Sequence, residues 1–352
     1  MHKRTGEDKM PATIKDIAKK VGVNPSTVSR VINGTASISE ETKQKIKDAM
    51  RELDYHPNSL ARSLVNGSTF TIGLVIDAGN SDAFSNAFFI RSVSAIEAVT
   101  QQRGFNLLIT SDTDKENNTA VKNLVLEKKI DGIILPVSAA TDELIEILLY
   151  NHFPFIVLGE PDNVREGIHW IDMDNKQGAE DAVTYLYQAG YKKTILLVEN
   201  RITMFERKRI QGFQSAIALM NKDIAENFIV ECGTESIQIG DALKNAFDKC
   251  ADIDSIICTN NVVAYETLKF LRKEKKKVPH NIGIITFDNY PLAEYMDPPL
   301  TVVDIDTYKL GEEAANTLFS IIQDPNQDRK EVLLPTRIIE RESTMKGENR
   351  KK

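Results

Sequence analysis

The chain has 352 residues, 41% hydrophobic and 27% charged, which at roughly 100 to 200 residues per domain means two or three domains and excludes a single small module. No stretch reaches the roughly 18 uncharged apolar residues of a membrane span, and MHKRTGEDKM has no apolar run behind it, so a cytoplasmic protein without a membrane partner is expected. The net charge of −7 divides unevenly: residues 1–66 hold 12 Lys and Arg against 8 Asp and Glu, leaving 32 against 43 for the remainder. A basic head on an acidic body fits a local polyanion partner.

From Thr13, the segment TIKDIAKKVG sets Ile14, Ile17, Ala18 and Val21 on one helical face, with Thr13 and Asp16 spaced as a capping box. Asn24 and Pro25 then suit the N-cap and first position of a second helix, in which Val28, Val31 and Ile32 share a face before Gly34. Ser39 caps a third helix with Glu40 and Glu41 in its first turn and an apolar stripe of Ile46, Ala49, Met50 and Leu53, ending at Tyr55-His56-Pro57. Two short helices about three residues apart, backed by a third, describe a helix-turn-helix whose second helix enters the major groove. Its polar face carries Ser26, Thr27, Ser29, Arg30 and Asn33. Arginine forks to guanine, and Ser and Thr serve bases or phosphates; spacing alone leaves open an ordinary solvated face.

The run TIKDIAKKVGVNPSTVSRVINGTASISEETKQKIKDAMRELDYHPNSLARSL resembles the DNA-binding headpiece of the LacI/GalR repressors over residues 13–64. The resemblance implies that Pro25, Ser26 and Arg30 read base edges, with Thr27 and Ser29 nearer the backbone; Asn33 on the same helix face and Thr13 are further DNA-contact candidates. The lac repressor has a tyrosine-glutamine pair where this chain has Pro25-Ser26, so a different operator is expected. Asn58 caps NSLARSLV, too short for a stable isolated helix and expected to fold only when something orders it. In the family this is the hinge helix, which implies that Ala61 approaches the minor groove and Leu64 wedges between base pairs. The alternative for Leu64 is a linker residue packed on the body.

From Phe70, β-rich runs alternate with helical patterns: FTIGLVI, NLLIT, GIILPV and FIVL, then, after His169-Trp170-Ile171-Asp172, TILLV, FIVE, SIIC and IGIITF. That is a parallel α/β body in two similar halves. The strand TVVDI and the helix Tyr308 to Ile322 are expected to return to the first half, and the strands VLLP and TRIIE to complete the second. The body resembles the periplasmic-binding-protein-like core of the same family, through ERKRIQGF, CTNNVVAYETL and ITFDNYPLAEYMDPPLTVV. The fold class expected is therefore α/β: a three-helix helix-turn-helix headpiece plus hinge helix, then a core of two parallel-sheet subdomains. The boundaries are a tail at 1–12, headpiece at 13–57, hinge and linker at 58–68, core at 69–345 and charged tail at 346–352. Within the core, 69–168 with 300–327 makes one half and 169–299 with 328–345 the other.

Two facing sheets make a cleft that binds ligands beyond the strands' carboxyl ends and closes by hinging. Arg209 matches the family arginine that points into this cleft, its alternative being an ion pair with Glu206. Asn260, after SIIC, and Asp288, after IITF, match ligand-contacting positions, although strand-end residues of these types also bind their own backbone. Phe88 and Phe89 in NAFF match wall residues or are core, and Asp82 and Glu160 are further acceptors. An acid, an amide and a guanidinium on short loops suit a polyol such as a sugar.

No GxxxxGK[ST], GxGxxG, GxSxG or HExxH occurs, and Cys232, Cys250 and Cys258 form no CxxC pair, so neither an enzyme, a cofactor, a metal site nor a disulfide framework is expected. A transport sugar-binding protein leaves the basic head unexplained. What remains is a ligand-controlled, dimeric transcription regulator on double-stranded operator DNA. The DAF-NAFF and LGEP segments resemble the maltose-operon type, giving a maltose or α-glucoside inducer; the alternative is a global catabolite-control regulator tightened on DNA by a corepressor or phosphocarrier protein. The KGENRKK ending has no leucine heptads, which favours a dimer. Met10 stands as an alternative start.

Overall fold

The computed structural model describes residues 12–33, 38–56, 67–77, 87–112, 119–163, 165–220, 228–289 and 291–346. The chain divides into two compact units, residues 1–70 and 71–352.

Among the described residues the first unit has three helices: α1 (Ile14–Val21), α2 (Pro25–Asn33) and α3 (Glu40–Glu52). Their one core is built from the apolar stripes: Ile17, Ala18, Val28, Ile46 and Ala49 are buried, with Ile14, Val21, Val31, Ile32, Met50 and Leu53 packed around them. The Thr13 backbone N–H and hydroxyl both donate to Asp16 Oδ2, at 2.8 and 2.7 Å. These bonds hold the Asp16 carboxyl below its usual range, the hydroxyl contributing most. Gly22 ends α1 in the left-handed region at φ 75°, where a side chain is strained. Ser39 Oγ accepts from Thr42 N–H at the start of α3, satisfying a donor that the helix leaves open.

The second unit has two lobes. Its elements are β1 (Thr71–Asp77), α4 (Ala87–Gln102), β2 (Asn106–Asp112), α5 (Thr119–Leu126), β3 (Gly132–Pro136), α6 (Asp142–Tyr150), β4 (Phe155–Leu158), β5 (Trp170–Met173), α7 (Asn175–Gln188), β6 (Thr194–Val198), α8 (Met204–Leu219), β7 (Ile229–Glu231), α9 (Ser236–Lys249), β8 (Ser255–Cys258), α10 (Asn261–Lys273), β9 (Gly283–Phe287), α11 (Pro291–Tyr295), β10 (Thr301–Asp304), α12 (Thr307–Gln323), β11 (Glu331–Leu334) and β12 (Arg337–Ile339). The first sheet runs β11-β5-β4-β3-β1-β2, all parallel; the second runs β12-β10-β9-β8-β6-β7, with only β12 antiparallel. Near-continuous burial, as in TILLV, SIIC and GIITF, is what a parallel strand covered on both faces requires.

The assignment of the late strands differs from the sequence expectation. Strand β10 (TVVD) pairs with β9 in the second sheet, and β11 (EVLL) pairs with β5 in the first, the reverse of what was expected; α12 does pack on the first lobe and β12 does lie in the second sheet. Strand β5 also belongs to the first sheet. The chain thus changes lobes after β5, after β10 and between β11 and β12, five to eight residues later than the expected boundaries. The error has one cause: β propensity marks a strand, but the sheet that it joins is decided by pairing with distant residues.

Within each lobe two helices approach backbone to backbone. A Cβ on Gly311 of α12 would lie 2.2 Å from the Ser92 carbonyl oxygen of α4, and one on Gly212 of α8 would lie 2.1 Å from that of Lys176 on α7. Glycine is therefore required at both contacts. One hydrophobic cluster runs through both lobes, joining Ile72, Leu74 and Ile134 of the first to Leu196, Ile257 and Phe287 of the second.

Candidate DNA-reading helix and effector cleft

In the head, the buried side of α2 fixes which side is left for a partner. With Val28 buried, Pro25, Ser26 and Arg30 are exposed, and Thr27 and Ser29 are part-buried. Asn33 is the last residue of α2. The outward face thus carries one fork-shaped cation and small hydroxyl groups at the start of a helix, a set that can contact phosphates and base edges. Thr13 is exposed but is committed to the cap of α1. Asn58, Ala61, Leu64 and Asp82 lie outside the described residues. Phe88 and Phe89 fall in the first turn of α4.

In the body, the carboxyl ends of β5, β8 and β9 meet around one side chain. Arg209, 5% exposed, donates from Nε to Asn175 Oδ1 at 2.9 Å and from Nη1 to the Thr259 carbonyl at 2.6 Å. Its guanidinium lies 3.9 Å from the Phe287 ring centroid and 5.1 Å from that of Phe205, so it is held both by hydrogen bonds and by aromatic faces. The expected Glu206 is nearby but wholly buried: its Oε1 accepts from the Glu199 N–H at 3.1 Å. Burial pushes the Glu206 carboxyl up to about 7, against the attraction of Arg209.

Asp288 follows β9 with φ 71°, a conformation that Asp tolerates better than most residues. Its N–H donates to the Val303 carbonyl, and its own carbonyl accepts from Asn261 Nδ2. Desolvation raises its carboxyl pKa and Arg209 opposes the rise. Asp172, at the end of β5, is raised by desolvation in the same way; it accepts from the N–H groups of Glu160 and Met173 at 3.0 and 2.7 Å. Asn260 is the N-cap of α10: its Oδ1 accepts from Val263 N–H and its Nδ2 donates to Glu199 Oε1 at 2.6 Å. Both ends of its amide are engaged within the second lobe. Glu160 forms an ion pair with Lys208 at 2.7 Å.

Of the expected residues, the structure brings Arg209, Asp288 and Glu160 into one electrostatic neighbourhood and gives Asn260 a capping role. The sequence reading missed Asn175, Phe205, Phe287, Asp172 and Lys208, and had Glu206 only as an alternative partner for Arg209. Phe287 and Lys208 adjoin residues that were singled out, and Asp172 ends a strand, but nothing local says that these positions meet.

Residues 13–58 match the family described as bacterial regulatory proteins, lacI family, and residues 183–344 match a periplasmic binding protein-like domain. The chain is 32% identical to the HTH-type transcriptional regulator MalR of Streptococcus pneumoniae, over 94% of this chain and all of the relative. The chain belongs to the LacI family. It is a LacI-family transcriptional regulator, with the helix-turn-helix and two-lobed body that the family resemblance implies. Among solved structures, a CelR–cellobiose complex is 25% identical with a TM-score of 0.71, covering 94% of this chain and 99% of that one. The lac repressor dimer bound to operator and the anti-inducer ONPF shares the fold, with a TM-score of 0.74 at 21% identity over 96% of this chain and all of that one. No described helix is long and apolar enough to cross a membrane.

Proposed function

We propose that this LacI-family regulator is a dimeric repressor released from a pseudo-palindromic operator by a neutral sugar, with maltose or another α-glucoside as the inducer. The observation that carries the sugar reading is the convergence of Arg209, Asp172 and Asp288 on one cleft, with the exposed ring of Phe205 beside them. Carboxylates accept from hydroxyls, a guanidinium donates to them, and an aromatic face covers the apolar side of a sugar ring. Glu160, Asp172, Glu199 and Asp288 outnumber Lys208 and Arg209, which disfavours an anionic ligand. The cellobiose-bound CelR structure supports the same ligand class.

On DNA, Arg30, Ser26 and Pro25 of α2 read the major groove, and the 58–64 segment folds into the minor groove with Leu64 inserted. Helices α10 and α11 expose Val262, Tyr265, Leu292 and Tyr295, apolar area that supports pairing of two bodies. Sugar binding changes the closure of the cleft, and through it the spacing of the two hinges; the sugar acts by its unequal affinity for the two states.

The test is a fluorescence-anisotropy titration of the purified protein on operator DNA selected from a random pool, at fixed salt, with and without a panel of sugars. Release by maltose or a related glucoside is the expected result. Tight binding that no sugar alters would transfer the reading to a corepressor-dependent or phosphocarrier-dependent regulator.

A further inference from the structure

Three consecutive cations open α8: Arg207, Lys208 and Arg209. Successive helical residues point about 100° apart, so the three side chains reach different partners. Arg209 turns into the second lobe. Lys208 reaches Glu160, which follows β4 of the first lobe, at 2.7 Å, and Arg207 pairs with Asp162 two residues further on. Both of these pairs cross the cleft.

They are not equivalent. The Lys208 and Glu160 side chains are 29% and 15% exposed, whereas Arg207 and Asp162 are 38% and 63% exposed. Water screens the outer pair strongly and the inner pair much less. Glu160 is also fixed from behind, because its N–H donates to Asp172 Oδ2 at 3.0 Å, and Asp172 feels the charge of Arg209. With the lobes together the Glu160 carboxylate is largely covered, and Lys208 of the opposite lobe supplies the cation that it faces.

We infer that Lys208 and Glu160 form a clasp across the cleft, with Arg207 and Asp162 as its outer turn, and that these side chains position the lobes for the effector. The clasp deepens the effector-cleft reading above, and it changes the part given to Glu160: its carboxylate is engaged by the opposite lobe, and Asp172 and Asp288 are left to receive hydroxyls.

The experiment compares hydrogen exchange in the full-length protein without sugar for the wild type, Glu160→Lys, Lys208→Glu and the double exchange of the two charges. Each single change puts like charges face to face. It is expected to speed exchange about tenfold in residues 159–163 and in residues 203–208 together, and the double change is expected to return both segments to within about threefold of the wild type. Faster exchange on the mutated side alone, or no recovery in the double variant, would overturn the clasp. Calorimetric titration with maltose then separates the two readings. Singles that bind about tenfold more weakly, with recovery in the double variant, support both; a wild type that ignores maltose counts against the named inducer, while the exchange comparison still decides the clasp.

Discussion

Replacing Glu206 by Gln should make the protein more stable at pH 8 and flatten its dependence on pH. Glu206 lies one turn before Arg209 on α8 and has no exposure to solvent. One carboxylate oxygen accepts from the Glu199 N–H, and the charge of Arg209, that bond and the Thr259 side chain lower the pKa less than burial raises it. Burial therefore dominates and moves the pKa from 4.5 to about 7. At about 1.4 kcal/mol per tenfold change in proton affinity, that rise corresponds to about 3 kcal/mol. The folded chain binds this proton more tightly than the unfolded chain, so the favourable contribution is complete below about pH 4.5 and is lost as pH rises through about 7. Above that pH the folded state carries the cost of an ionised, buried carboxylate. Glutamine keeps an acceptor for the Glu199 N–H and carries no charge. Thermal unfolding followed by circular dichroism at pH 5 and pH 8 reads the effect: near-equal midpoints at pH 5 and a higher midpoint for the variant at pH 8 are expected. Asp172 and Asp288 are raised for the same reason and keep part of the wild-type slope in the variant. A variant destabilised at both pH values with the wild-type slope intact would refute the reasoning and mean that Arg209 holds Glu206 ionised.

Arg30→Ala should weaken binding to the selected operator by about 1 to 3 kcal/mol in anisotropy titrations while leaving binding to unrelated DNA nearly unchanged; equal losses on both DNAs would assign Arg30 to phosphates. Asp288→Asn removes the acceptor pair at the end of β9 and should abolish release by sugar without preventing operator binding, measured in the same titration with saturating sugar. Gly212→Ala inserts a methyl group 2.1 Å from the Lys176 carbonyl oxygen, so α7 and α8 must separate. A loss of about 1 to 3 kcal/mol in denaturant unfolding is expected, together with a weaker sugar response because Arg209 is carried on the displaced helix.

The head was legible because its information is local. The stripe of Ile14, Ile17, Ala18 and Val21 and the Thr13–Asp16 cap each act within a few residues, and both appear where the spacing puts them. The strands of the body were legible for a related reason, since four or five apolar β-formers in a row have few other uses. Lobe membership of β5, β10 and β11 was not, because it depends on pairs such as Val332 with Ile171 and Val302 with Thr286. The site divides along the same line. The motifs around Arg209 and Asp288 single both out, and the structure places them close enough to interact. For Asn260 the structure shows the backbone-binding alternative, a local cap bond to Val263 three residues on, whereas its bond to Glu199, 61 positions away, exists only in the folded lobe.

The late change of lobe has a mechanical consequence. Because each passage follows a strand instead of a helix, the connections are minimal: Asp174 alone between β5 and α7, residues 305–306 between β10 and α12, and residues 335–336 between β11 and β12. All three leave the carboxyl end of a strand. Few backbone torsions are then available to absorb a change in lobe angle, and the passages leave β5 and its neighbour β11 and enter or leave β10 and its neighbour β12, an arrangement that favours hinge rotation in the proposed closure. Asp172 and Asn175 flank the first passage, and Asp304 and Thr307 flank the second. Asn175 holds Arg209, and Ser92 Oγ on α4 of the first lobe donates to the Thr307 carbonyl. In the proposed mechanism a ligand that pulls on Arg209 acts within a few residues of a hinge strand. That proximity lets a sugar-sized change at the cleft become a rotation of a whole lobe, provided that the two lobe angles differ in their affinity for the sugar.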